Sequence, residues 1–183
     1  MIRVEKWFER EFTFDVPIQL FPEMVERLRG TPSRLEEKVA GLSDEVLTRR
    51  DNGSWSIQEN MGHLVDLETL HMTRLQEFQR GVKVLTAADL KNQKTFTANH
   101  NAQPLNSILK SFRTERSHFV SIVEQMDEEV VSRTALHPRL QKMLNVLDLC
   151  YFVAEHDDHH LARISELKHL WTISQTAESL SVR

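Results

Sequence analysis

Four long stretches of the chain repeat apolar residues every three or four positions, the spacing of one face of an α-helix. The clearest lies between Ile57 and Arg80, where Leu64, Leu67, Leu70 or His71, Leu75 and Phe78 keep to a helical period. A second, opened by Pro104 and running to about Met126, carries Leu105, Ile108, Leu109, Phe112, Phe119, Ile122 and Val123. Residues 146–170 form the most apolar stretch of all. Residues 18–41 also read as helical, but contain Gly30-Thr31-Pro32. Pro32 has no N–H to donate and crowds the preceding turn. Thr31 and Pro32 equally suit an N-cap followed by a first turn. One kinked helix and two short ones both fit that pattern. Residues 1–17, ending at Pro17, read as an irregular or short extended arm.

Capping chemistry sets the boundaries. Asp51-Asn52-Gly53 is a turn signal. Ser56 with Glu59 three residues later forms a capping box, and Gly81 stops the helix it opens. Asn145 is a cap for the last helix. Between these elements, residues 82–103 are polar and without period, and a second connection, 127–144, contains His137-Pro138. Four helices of about 20 residues with two long connections describe an all-α fold, a four-helix bundle with a long crossover connection. A single domain is expected over 1–183, with its core at about 18–170.

Composition narrows the picture. Five glycines and five prolines in 183 residues leave little material for the turns of a many-stranded fold. A formal net charge of −4 gives no surplus to neutralise phosphates, so nucleic acid is not an expected partner. Cys150 is the only cysteine, so no internal disulfide forms. The N-terminal "MIRVEKWFEREF" lacks an apolar signal core, and no run approaches the roughly 20 apolar residues of a membrane span. A cytoplasmic location with no membrane partner is the expectation.

The histidines change the picture most. A helix turns by about 100° per residue, so His156 and His160 lie about 40° apart and one turn along. Two imidazoles so placed can grip one metal ion. Their face continues through Leu149, Val153, Arg163 and Leu167 and so points to the core, where an unpaired polar group is costly. His159 and Cys150 point elsewhere. His63 is the candidate third ligand, its height matching if the second and fourth helices run antiparallel. Three neutral imidazoles leave coordination positions open, as in a catalytic site. Asp66, on nearly the face of His63, is a candidate to orient a ligand or take a proton. Arg163 is a candidate to hold an anionic substrate group or thiolate. Asp157 and Asp158 flank the pair, in its surroundings or on the surface. His71 is placed too far to join, and His100, His118, His137 and His169 read as surface or locally satisfied. The 82–103 connection is expected to cross or lie along the bundle near the site.

Other metal patterns fit less well. A di-iron carboxylate bundle would need a glutamate where Asn60 stands. A zincin-type His-Glu-x-x-His is one methylene away from His156-Asp157-x-x-His160, with a further ligand required from the tail, such as Glu178.

"WSIQENMGHLVDLE" at 55–68 and "LDLCYFVAEHDDHHLARI" at 147–164, roughly ninety residues apart, resemble the DinB-like superfamily of metal-binding four-helix bundles. "TPSRLEEKVAGLSDEVL" resembles the first helix of that group. The resemblance implies three histidine ligands, carried over to His63, His156 and His160, and often a homodimer. Some members resemble thiol-dependent transferases. The expected function is a metal-dependent enzyme that activates a low-molecular-weight thiol or water for attack on an electrophilic small molecule, in an S-transferase-like detoxification or stress role. Its cofactor would be a divalent ion (Zn, Ni, Mn or Fe), with the thiol as cosubstrate. A metal-stapled interaction bundle and a metal-dependent hydrolase are the alternatives.

Overall fold

The computed structural model describes residues 4–181, with side chains described as far as Trp171. Four long helices, α1 (Phe21–Val39), α3 (Ile57–Arg80), α5 (Leu105–Glu124) and α7 (Val146–Ser181), carry the architecture. Short helices α2 (Asp44–Thr48), α4 (Gln93–Ala98) and α6 (Glu128–Val131) sit in the connections. The last connection also contains an antiparallel hairpin, β1 (Ala135–His137) with β2 (Lys142–Leu144), where only a loop was expected.

The caps act as expected. The Ser56 hydroxyl accepts from the Glu59 N–H, and the Glu59 carboxylate accepts from the Ser56 N–H. Gly81 ends α3 at φ +68°, a conformation that costs glycine nothing. At the head of α7, Asn145 and Asp148 exchange the same pair of side-chain bonds. α1 runs unbroken through Pro32, so the chain adopts one helix there. Pro32 itself is buried, in a helix that packs along its length against α5 and α7.

Each long helix carries two apolar groups, one on either side of a buried polar residue near its middle. In α1, Val25 and Leu28 are separated from Leu35 and Val39 by Thr31. In α3, Ile57, Met61 and Leu64 are separated from Met72, Leu75 and Phe78 by Glu68. In α5, Arg116 divides Ile108 and Phe112 from Phe119, Val120 and Val123. In α7, Asp157 divides Leu149 and Val153 from Leu161, Ile164 and Leu167. The apolar groups assemble into two core clusters, one towards each end of the bundle. Each fully buried Leu or Phe contributes about 1.5–3 kcal/mol, so these clusters carry the stability.

The polar residues meet between the clusters. Arg116 donates to both Glu68, at 2.7 Å, and Asp157, at 3.0 Å, and the Thr31 hydroxyl donates to Asp157 at 2.9 Å. Burial opposes charge on Glu68, but Arg116 and His71 hold its carboxyl down to about 2.

The order of the clusters along each helix gives its direction. α1 and α7 run one way, and α3 and α5 the other. α1 packs against α5 and α7, and α3 packs against the same two, so α1 faces α3, and α5 faces α7, across a diagonal. α3 and α5 are parallel neighbours. The 81–104 segment must therefore travel the length of the bundle to return the chain to its starting end. That is the crossover its length implied.

Candidate metal centre

α3 and α7 are antiparallel neighbours, and this brings His63 against His156 and His160. One nitrogen from each ring lies within 4.8 Å of the other two, and all three residues are buried. The Nε2 atoms of His156 and His160 are 3.2 Å apart. Two nitrogens bound tetrahedrally at metal–nitrogen lengths of about 2.0–2.1 Å would lie about 3.3 Å apart, so this spacing suits a shared ion. Burial pushes the His63 imidazole down to about 4, despite the opposing pull of Asp66. His156 and His160 are also held well below their ordinary value, first by burial and then by neighbouring imidazoles. At neutral pH all three rings are uncharged and offer lone pairs.

The surrounding groups fix which nitrogen carries the proton. Asn60 donates its amide hydrogens to the carbonyls of Ser56, at 2.7 Å, and Trp55, at 3.3 Å. Its Oδ1 is thereby turned to His160 and accepts from Nδ1–H at 2.8 Å. The lone pair of His160 is left on Nε2, facing His156. His63 Nδ1 lies 3.0 Å from the Thr95 hydroxyl. That hydroxyl also bonds to Asp66. With Thr95 donating to the carboxylate, it accepts from His63 Nδ1–H and leaves Nε2 free. Such partners orient ligands and raise their basicity. His156 Nδ1 is buried with no hydrogen-bond partner among the described residues.

The crossing segment is clamped to α3 beside the cluster. Gly62 allows it: a Cβ there would sit 2.1 Å from the His100 ring. His100 Nε2 bonds to Asp66 at 2.9 Å, and Gln58 donates to the His100 carbonyl. Burial raises the Asp66 carboxyl, but bonds from His100 and Thr95 and the charge of Lys94 more than offset this, leaving it below the usual range. Aromatic rings close the cluster's other sides. Trp55 lies 4.7 Å from His63 and 6.2 Å from His160, and Trp7 of the N-terminal arm lies 4.8 Å from His156.

The histidines form part of the wall of a cavity of about 1140 Å³, which Arg163 and His159 also line. Arg163 pairs with Asp51 at 2.9 Å and Glu166 at 3.0 Å. Asp158 pairs with Arg27 and Arg34. Asp157 lies in the buried layer described above. Cys150 lies in the apolar core, where burial pushes its thiol up to about 12. Glu178, the zincin pattern's tail residue, lies outside the residues whose side chains are described.

Sequence reasoning did not single out Asn60, Thr95, Trp7 or Trp55 as neighbours of the histidines, and it left His100 and His137 as surface or locally satisfied. His100 and His137 are buried, and His137 has an unpartnered ring nitrogen. Asn60 had a signal, standing three residues before His63 on one helical face. Gly62 had another, since glycine inside a helix marks a close approach. For Thr95, in a segment without period, there was none.

The profile of the DinB superfamily matches residues 27–164. A protein of Geobacillus kaustophilus described as "Putative metal-dependent hydrolase" is 26% identical over 163 residues, covering 85% of this chain and 90% of its own. The structure of YfiT from Bacillus subtilis, described as a "probable metal-dependent hydrolase with an unusual four-helix bundle topology", superposes with a TM-score of 0.78 at 15% identity, over 89% of this chain and 94% of that one. A mycothiol-dependent maleylpyruvate isomerase superposes with a TM-score of 0.64 at 9% identity, over 86% of this chain and 62% of that one. The profile spans well over half of the sequence and takes in all three clustered histidines, and on that ground the chain belongs to the DinB superfamily.

Proposed function

We propose that the protein is a metal-dependent enzyme whose ion is held by His63, His156 and His160, and that it directs a small nucleophile onto an electrophilic small molecule in the cavity. The observation that carries this reading is the convergence of three neutral, buried imidazoles on the wall of a large cavity, with no fourth ligand group among the described residues. A structural zinc site is usually closed by four protein ligands. A divalent ion held by three imidazoles supplies Lewis acidity, lowering the pKa of an incoming water or thiol towards neutrality.

The chain's own residues do the rest. Asn60 and Thr95 hold the protons of His160 and His63 away from the ion position. Asp66 is a positioning residue, anchoring Thr95 and His100. Trp7 and Trp55 exclude water from the flanks of the cluster. Arg163 supplies positive charge at the cavity wall, moderated by Asp51 and Glu166. The relatives' description as metal-dependent hydrolases supports water as nucleophile. The fold shared with a mycothiol-dependent isomerase supports a thiol.

The test is to load the protein with cobalt and follow its absorption while adding a low-molecular-weight thiol, then assay ester hydrolysis and thiol transfer side by side. The reading requires one ion per chain, lost in His63→Ala, His156→Ala and His160→Ala. A thiol-induced spectral change selects transfer, and turnover without thiol selects hydrolysis. An ion that no added ligand ever reaches would mark a structural staple.

A further inference from the structure

The cavity has a second polar region, which the reading above does not use. It is built from Arg74 on α3 and from His137 and Arg139 at the β1–β2 turn, all three of which line the cavity. Arg74 and His137 are each 2% exposed. His137 Nδ1 accepts from the Leu140 N–H at 3.3 Å, so its proton sits on Nε2. That Nε2–H is buried and has no acceptor among the described residues. Nη2 of Arg139 is in the same condition. The Arg139 guanidinium lies over the rings of Trp7, Phe8 and Phe152, at 5.4–5.7 Å, and has no ion pair among the described residues. Arg74 donates twice to the Thr86 carbonyl, which leaves its charge intact.

Of the other carboxylates on the cavity wall, Glu5 is exposed on the N-terminal arm and the remaining three are engaged. Asp51 and Glu166 pair with Arg163, and Asp89 accepts from the backbone of Lys91 and Gln93. Glu77 tempers Arg74, but its oxygens accept from the Thr86 N–H and hydroxyl. Burial, then Arg74 and Arg139, push the His137 imidazole down to about 3, so the region is positive and its histidine neutral. A trapped water would satisfy one donor but would neutralise no charge. Two guanidinium charges, with one unpartnered N–H on Arg139 and another on the neutral His137, match an oxyanion, for which arginine's planar fork is suited.

We propose that Arg74, His137 and Arg139 form an oxyanion subsite that holds a carboxylate or phosphate group of the substrate, with Trp7 and Phe152 between it and the three histidines. Trp7 touches His156 at 4.8 Å and lies under Arg139 at 5.7 Å, so it bridges the two regions. A substrate would lie along these rings, its anionic end fixed and its electrophilic end turned to the imidazoles. The proposal rests on the functional reading above only for the word substrate.

The test is calorimetric titration of the metal-loaded protein with succinate and, separately, with inorganic phosphate, against chloride at matched ionic strength. Either oxyanion should bind, and the tighter one identifies the group. Arg139→Met should weaken binding by about tenfold or more, the loss of a charge-assisted bond, with metal content unchanged. His156→Ala should lose metal and keep the oxyanion. Should Arg139→Met not fold, Arg139→Lys keeps stem and charge but loses the fork, and weaker binding is again expected. No binding of either anion, or wild-type affinity in the folded Arg139 variant, overturns the subsite. Binding lost in His156→Ala but kept in Arg139→Met places the anion at the imidazoles, overturning the subsite and sparing the metal reading. Oxyanion binding by a wild-type protein that takes up no metal does the reverse.

Discussion

At the scale of single residues, the proposed centre should depend on side chains outside the three histidines. Asn60→Ala removes the acceptor that fixes the His160 ring, and leaves a buried N–H without a partner. Metal affinity is expected to fall about 10–100-fold, measured by competition with a chromophoric chelator, while circular dichroism stays that of the wild type. Unchanged affinity would mean that packing alone orients the ring. Gly62→Ala forces a methyl group into the His100 imidazole, and should destabilise the protein by about 1–3 kcal/mol in urea unfolding. The three histidines were legible because helical spacing is a local rule and all three sit on regular helices. Asn60 and Gly62 were half legible, being residues whose position was clear and whose partner was not. Thr95 was illegible, because its place depends on the path of an aperiodic segment.

At the scale of elements, the buried Arg116 layer and the crossing segment do different work. Arg116 reaches Glu68 and Asp157 together only when α3, α5 and α7 are in one register. Arg116→Met strands two buried carboxylates, and an expected loss of about 3–5 kcal/mol would appear as an earlier denaturation midpoint. A triple variant that also replaces Glu68 and Asp157 by apolar residues should recover much of it. The helix boundaries of α3 and α5 were readable within a residue or two, because capping boxes and glycine stops act over one turn. Pro32 was ambiguous for the opposite reason. Whether a proline ends a helix depends on what its neighbours bury, and here that is the bundle core. The hairpin at 135–144 was missed because three-residue strands are too short to show alternation.

At the scale of the whole molecule, two apolar clusters and a charged layer lie outside the three histidines, and the bundle is expected to stand on them alone. Metal removal by chelation should leave the helical spectrum intact. Metal at a hundredfold excess over its Kd should raise the melting temperature by about 5–10 °C. Collapse of the spectrum on chelation would count against a site added for chemistry. Stability should also depend on pH through His137, whose folded value of about 3 lies below the ordinary 6.5. The unfolded chain takes up that proton first, so this contribution is full above pH 6.5 and is lost as pH falls towards 3. Urea unfolding at pH 7 and pH 5 should show a smaller difference in His137→Gln than in wild type. The diagonal seating of consecutive helices has a consequence in time. α1 and α3 cannot close into a helical hairpin, and α3 and α5 touch only as parallel neighbours. Early contacts between sequence neighbours, which let many helical proteins fold fast, are scarce in this chain. During synthesis α1 lacks both of the long helices it packs against until α5 emerges from the ribosome. His160 arrives later still, so the three histidines can come together only after α7 has been made as far as that residue.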